Sequence, residues 1–136
     1  EEMLRELSRK LGISSRIKWL GFSERPFELL REEGVTALLL TSRFEGLPNV
    51  LIEAISYGIP VISSNCETGP EDIVIPGVNG YLYKEGSLKN FIETVTDFVE
   101  GKLSIADIEE LRATVNKFRI STVCEHIYEE LYRLTS

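Results

Sequence analysis

Apolar and polar positions along the chain follow two periods, one helical and one extended. Leu4, Leu7 and Leu11 repeat at helical spacing, so residues 2–11 are expected to form a helix that Gly12 stops. Residues 16–20 (RIKWL) read as a short strand ending at Gly21. Residues 25–33 read as a short helix with Phe27, Leu29 and Leu30 inward and Gly34 behind it. Residues 35–41 (VTALLLT) are nearly all apolar, the pattern of a strand covered on both faces. Residues 48–57 predict a helix that Pro48 opens and Gly58 closes. A buried strand follows at 61–64, then a short helix at 69–75, a turn at 76–80 (PGVNG) and a last short strand at 81–83. Three helices complete the chain. The first carries Leu88, Phe91, Ile92, Val95, Phe98 and Val99; the second Ile105, Ile108, Leu111 and Val115; the third Val123, Ile127, Leu131 and Leu134.

Strands alternating with helices imply βαβ units, hence an α/β fold: a Rossmann-like, doubly wound parallel sheet with helices on both faces. Such sheets bind ligands in the crevice at the carboxyl ends of their strands. The loops of interest are therefore 21–25, 42–49, 65–70 and the segment after Tyr83. The two helices after Gly101 fit packing on this domain or across a neighbouring one.

Composition narrows the classes without choosing among enzymes. The 136 residues are 43% hydrophobic and 27% charged, suited to one globular domain spanning the chain. No apolar run approaches the about 18 residues of a membrane-spanning helix. A net charge of −7 argues against a nucleic-acid partner. Cys66 and Cys124 form no CxxC motif and His126 is the sole histidine, so zinc spacing is absent and a reducing, cytoplasmic setting is expected. The chain begins at Glu1 rather than Met, and it is expected to be a fragment.

Neither GxGxxG nor GxxxxGK occurs, so the common phosphate fingerprints are missing. What exists is a strand, a loop and a helix in TSRFEGLPNV, with Gly46 in the loop and the helix start aimed at the crevice. The helix is apolar almost all round, yet Asn49, Glu53 and Ser56 fall at i, i+4 and i+7 and make one narrow polar stripe. A carboxylate there can accept two hydroxyl hydrogen bonds, as a ribose diol offers. The alternative is that Glu53 simply faces solvent, and the pattern leaves both readings open. Glu45, in the loop, is either a ligand-reaching carboxylate or an ordinary polar residue. From Phe44 to Tyr83 the charged residues are Glu45, Glu53, Glu67, Glu71 and Asp72, with no Lys or Arg, and Arg43 is the nearby cation. A diphosphate bound here would need a further cation or a metal. Cys66 reads as a plain small residue, Asp72 as a first-turn helix residue, Trp19 as core, and Phe22 and Ser23 as lining a crevice loop that could border a base.

The run SRFEGLPNVLIEAISYGIPVISSNCETGPEDIV, with PGVNGYLY after it, resembles the nucleotide-sugar-binding half of the family-four retaining glycosyltransferases of GT-B fold. The signature is Glu45, seven residues, Glu53, then Ser56-Tyr57-Gly58-Ile59-Pro60-Val61, with IKWLGF upstream resembling the strand before the base-binding loop. The resemblance implies that Glu53 binds the ribose hydroxyls and that Glu45 contacts the donor sugar and stabilises an oxocarbenium-like transition state. It implies that the segment Gly46, Leu47, Pro48, Asn49 and Val50 meets the sugar and diphosphate through its main-chain amides, Pro48 itself having no N–H to give, and that Phe22 and Ser23 lie beside the base. No metal or other cofactor is implied. The implied donor is a nucleoside-diphosphate sugar, a UDP-sugar by default, and the acceptor a saccharide or a lipid-linked one. The stretch CETGPEDI leans toward lipopolysaccharide or capsule synthesis, at the inner face of a membrane through peripheral association of the missing half. The family's diphosphate-binding Lys or Arg and its acceptor domain are expected upstream of Glu1, so this piece alone is expected not to transfer sugar. Two other readings stand beside this one: a nucleotide-sugar-binding module without catalysis, and a GT-B sugar-nucleotide epimerase, which the paired glutamates disfavour.

Overall fold

The computed structural model describes residues 1–135. In chain order it holds α1 (Glu2–Lys10), α2 (Pro26–Glu32), β1 (Leu38–Leu40), α3 (Asn49–Ser56), β2 (Val61–Asn65), α4 (Pro70–Ile73), β3 (Gly80–Lys84), α5 (Leu88–Val99), α6 (Ile108–Ala113) and α7 (Ile120–Thr135). Short 3-10 turns lie at Ser14–Arg16 and Asn116–Phe118. The strands form one parallel sheet in the order β1-β2-β3, with Leu38 opposite Val61 and Val61 opposite Gly80. Because the strands run the same way, the loops after β1, β2 and β3 all emerge at one end of the sheet. This end is where a parallel sheet presents its ligand crevice.

The core lies under α3. Leu51, Ala54 and Ile55 are fully buried there, against Phe27 of α2, Val61 of β2, Ile73 of α4 and Leu111 of α6, with Ile59, Val74 and Val115 beside them. Each fully buried Leu or Ile contributes roughly 1.5–3 kcal/mol, so this face of α3 anchors the helix firmly. Leu111 and Val115 settle the place of α6, which packs on this domain. By contrast, α7 leaves Ile120, Ile127, Leu131 and Leu134 exposed. No helix of the described residues is long and apolar enough to cross a membrane.

Two glycines are dictated by close approaches. A Cβ on Gly80 would stand 2.1 Å from the Val61 carbonyl oxygen, so the start of β3 can lie against β2 only without a side chain. The second, Gly69, belongs to the site. Next to Gly80, Asn79 is entirely buried and fully bonded. Its Nδ2 donates to the Ile73 carbonyl at 2.9 Å and to Thr114 Oγ1 at 2.8 Å, and its Oδ1 accepts from the Ile75 amide at 2.7 Å.

Two strand expectations are corrected. Residues 16–20 do not join the sheet: Ser14–Arg16 is a 3-10 turn, and Ile17 is extended without becoming a ladder strand. An isolated apolar run becomes a strand only beside a partner, and here the turn and Trp19 pack near α1, with the Arg5 guanidinium 4.8 Å from the Trp19 ring centre. Trp19 is half-buried rather than core. The 35–41 run shortens to Leu38–Leu40, and it is an edge strand with Leu39 47% exposed, not one covered on both faces. The other elements stand where the pattern put them, within a residue or two at most ends, save that the second C-terminal helix shortens to Ile108–Ala113 and leaves Ile105 and Val115 outside it.

Candidate functional site

The loop that joins β1 to α3 is held from one side. Ser64, at the end of β2, donates its hydroxyl to the Ser42 carbonyl, and Thr68 donates its hydroxyl to the Glu45 carbonyl. Gly69 takes φ +91°, and a Cβ there would lie 1.9 Å from the Gly46 carbonyl oxygen and 2.6 Å from Pro48 Cδ. The loop between Ser42 and Pro48 is therefore pressed onto the loop between β2 and α4. Its other side is open: Arg43, Phe44, Gly46 and Leu47 are exposed and Glu45 is half-buried. Pro48 is buried at the start of α3 and brings no side-chain cap, while Asn49 is exposed and Val50 half-buried.

Glu53 lies a turn further along α3, exposed on the polar stripe with Asn49 and Ser56, and Ser56 Oγ donates to the Glu53 carbonyl at 2.7 Å. Its side chain faces a cleft of about 260 Å³ that it shares with Glu24, Arg25, Pro26, Phe27 and Tyr57. The rings of Phe27 and Tyr57 stack across this contact at 5.8 Å, which fixes α2 against α3. The start of α2 and the polar stripe of α3 thus form one site. The cleft wall begins at Glu24, just beyond the expected pair: Phe22 is 93% exposed, while Ser23 is half-buried and its Oγ accepts from the Arg25 amide at 3.3 Å.

The charged groups separate into two regions. Arg43 opens onto the β3 side, in a cavity of about 250 Å³ with Ser42, Ser64, Tyr83 and Glu85. The Glu53 cleft instead contains Arg25, a cation the sequence reading passed over, which pairs with Glu28 at 3.1 Å. Burial pushes the Tyr83 phenol above its ordinary value, and its hydroxyl donates to the Leu40 carbonyl at 3.4 Å, so Tyr83 sits in its cavity as a neutral wall. Cys66 is buried, His126 is exposed on α7, and Asp72 accepts a Lys117 Nζ hydrogen bond through its main-chain oxygen at 2.8 Å.

The family described as "Glycosyl transferases group 1" matches residues 1–117. The chain belongs to that family. As a group 1 glycosyltransferase chain, it is 39% identical over 130 residues to "Lipopolysaccharide 1,6-galactosyltransferase" of Escherichia coli (strain K12), covering 94% of this chain and 36% of that protein. It superposes on the solved structure "lipopolysaccharide outer core galactosyltransferase WaaB apo form" with a TM-score of 0.88 and 36% identity, over 97% of this chain and 37% of that one. Against Anabaena Alr3699/HepE in complex with UDP-glucose the TM-score is 0.79 at 26% identity, over 97% of this chain and 36% of that one. The chain spans little more than a third of the length of these relatives. Its parallel α/β architecture is the one that these GT-B glycosyltransferases share.

Ser64, Thr68 and Gly69 escaped the sequence reading. The loop 65–70 was marked as facing the crevice, but nothing in its letters shows that Thr68 and Gly69 hold the Glu45 loop.

Proposed function

We propose that this chain is the donor-binding domain of a glycosyltransferase, spanning residues 1–136. The whole enzyme would move a sugar from a nucleoside-diphosphate sugar to a saccharide or lipid-linked acceptor with retention, in lipopolysaccharide, capsule or other glycan synthesis. The observation that carries this reading is the placement of Glu53, on a polar stripe of an otherwise apolar helix, facing a cleft walled by the start of α2.

In this reading Glu53 accepts two hydrogen bonds from the ribose diol, and the neighbouring start of α2 flanks the base. The loop from Glu45 to Val50 meets the donor sugar and diphosphate, with Glu45 as the group nearest the reacting carbon. The UDP-glucose held by HepE and the galactosyl transfer in the names of the two other relatives support a UDP-hexose donor. The diphosphate needs a cation: Arg25 stands in the Glu53 cleft, and Arg43 opens on the β3 side. Further cations and the acceptor site would come from the rest of the enzyme.

Glu53→Ala in the intact enzyme is expected to weaken UDP binding about 10- to 100-fold, the effect of losing charge-assisted hydrogen bonds to a diol. Isothermal titration with UDP measures it, and unchanged affinity overturns the assignment.

A further inference from the structure

The loop that carries Glu45 has no side-chain anchor of its own between Ser42 and Pro48. Phe44 and Leu47, its large apolar residues, are 76% and 50% exposed. What fixes its course comes from the next crossover, through the two hydroxyl-to-carbonyl hydrogen bonds and the bare Cα of Gly69 under the Gly46 carbonyl. We propose that Thr68 and Gly69 are positioning residues, which set the place of the Glu45 carboxylate by holding the Glu45 and Gly46 main chain. This rests on the donor-site reading of Glu45.

The two act differently. Thr68 is exposed, and a hydrogen bond within reach of water adds little to the stability of the fold. Its contribution is to select one loop path among the several that an exposed loop can take. Gly69 acts by exclusion. Its neighbours are the Gly46 backbone and the Pro48 ring, neither of which can swing aside as a flexible side chain would. Any side chain at 69 pushes Gly46 away from the β2–α4 loop, and φ +91° adds strain to such a substitution. A catalytic carboxylate displaced by a fraction of an ångström loses much of its effect on the reacting carbon, while Glu53, fixed on a buried helix, keeps its hold on the ribose.

The test compares Thr68→Val, which keeps the shape and removes the donor, with Thr68→Ser, which restores the hydroxyl, in the intact enzyme. Thr68→Val is expected to lower kcat about 10-fold while UDP affinity, held mainly by Glu53, falls by a smaller factor of about threefold, and Thr68→Ser to recover kcat to within about threefold. Backbone chemical shifts of residues 44–47 should move in Thr68→Val and return in Thr68→Ser, whatever the activity. Gly69→Ala should show the same shift changes, larger. Wild-type kcat in Thr68→Val, a loss that serine does not restore, or unchanged shifts over 44–47 overturns the proposal. Glu45→Ala and Glu53→Ala measured beside it separate the two levels. If both lose function while Thr68→Val does not, the positioning role falls alone; if both behave as wild type, the donor site falls and the positioning role with it.

Discussion

Glu45→Ala in the intact enzyme is expected to lower kcat about 100- to 1000-fold while donor affinity stays within about threefold. The argument starts from charge. Departure of a nucleoside diphosphate leaves positive charge on the anomeric carbon and ring oxygen, and a fixed carboxylate beside them stabilises that charge more than it stabilises the neutral ground state. Glu45 suits this role: it is half-buried, so water screens it less than an open surface group, and its main chain is tied to Thr68. A group that acts on developing charge affects turnover more than binding, so the fall should appear in kcat with little change in KM. Glu45→Gln should lose nearly as much as alanine, because the amide keeps the shape and hydrogen-bonding reach but not the charge. Steady-state kinetics with a saturating UDP-sugar decide the matter. Normal turnover in Glu45→Ala returns the residue to an ordinary place in a polar loop.

The largest expected effect on stability lies away from the site, at Asn79. Both Nδ2 hydrogens and Oδ1 are used, on Ile73, Thr114 and Ile75, and the Asn79 carbonyl accepts from the Val61 amide at 3.0 Å. One side chain thereby joins the end of α4, the start of β3 and α6. Asn79→Ala leaves a buried carbonyl, an amide and a hydroxyl without that partner, and at about 1 kcal/mol or more for each the expected loss is about 3 kcal/mol. Against a domain stability of about 5–15 kcal/mol this is a large fraction. Asn79→Asp should also destabilise, because it turns a carboxylate oxygen toward the Ile73 and Thr114 oxygens in place of the amide donor. Urea unfolding midpoints measure both variants, and a loss below about 1 kcal/mol for alanine rejects the network as a stabilising element.

The contrast between Glu53 and Asn79 marks what the sequence made legible. A helix announces its faces through a period of 3.6, so the stripe of Asn49, Glu53 and Ser56 could be placed on α3 and its exposure anticipated. A turn has no such period. PGVNG reads as surface, and nothing in those letters says that its Asn is buried and bonded to residue 114. Strands were legible only as far as they found partners: 61–64 and 81–83 pair with each other, while 16–20 has the composition of a strand and no neighbour to make it one. The extent of β1 could not be read either, since coverage of an apolar run depends on what packs beside it. Within the candidate site, the two glutamates stood out through the family resemblance, and their pattern alone left both open; Ser64, Thr68 and Gly69 did not stand out. Their effect depends on contacts across about twenty residues of chain, and small polar residues in a loop carry no pattern of their own.

The hydroxyls of Ser64 and Thr68 both end on main-chain oxygens, and Gly69 meets main chain as well. The grip on the loop is therefore indifferent to which side chains the loop displays. Arg43, Phe44 and Leu47 can be exchanged during divergence without loosening the frame that carries them, so the fold separates where a contact is made from what makes it. Such a frame lets the outward residues change one at a time, each intermediate still folded and the loop still on its course.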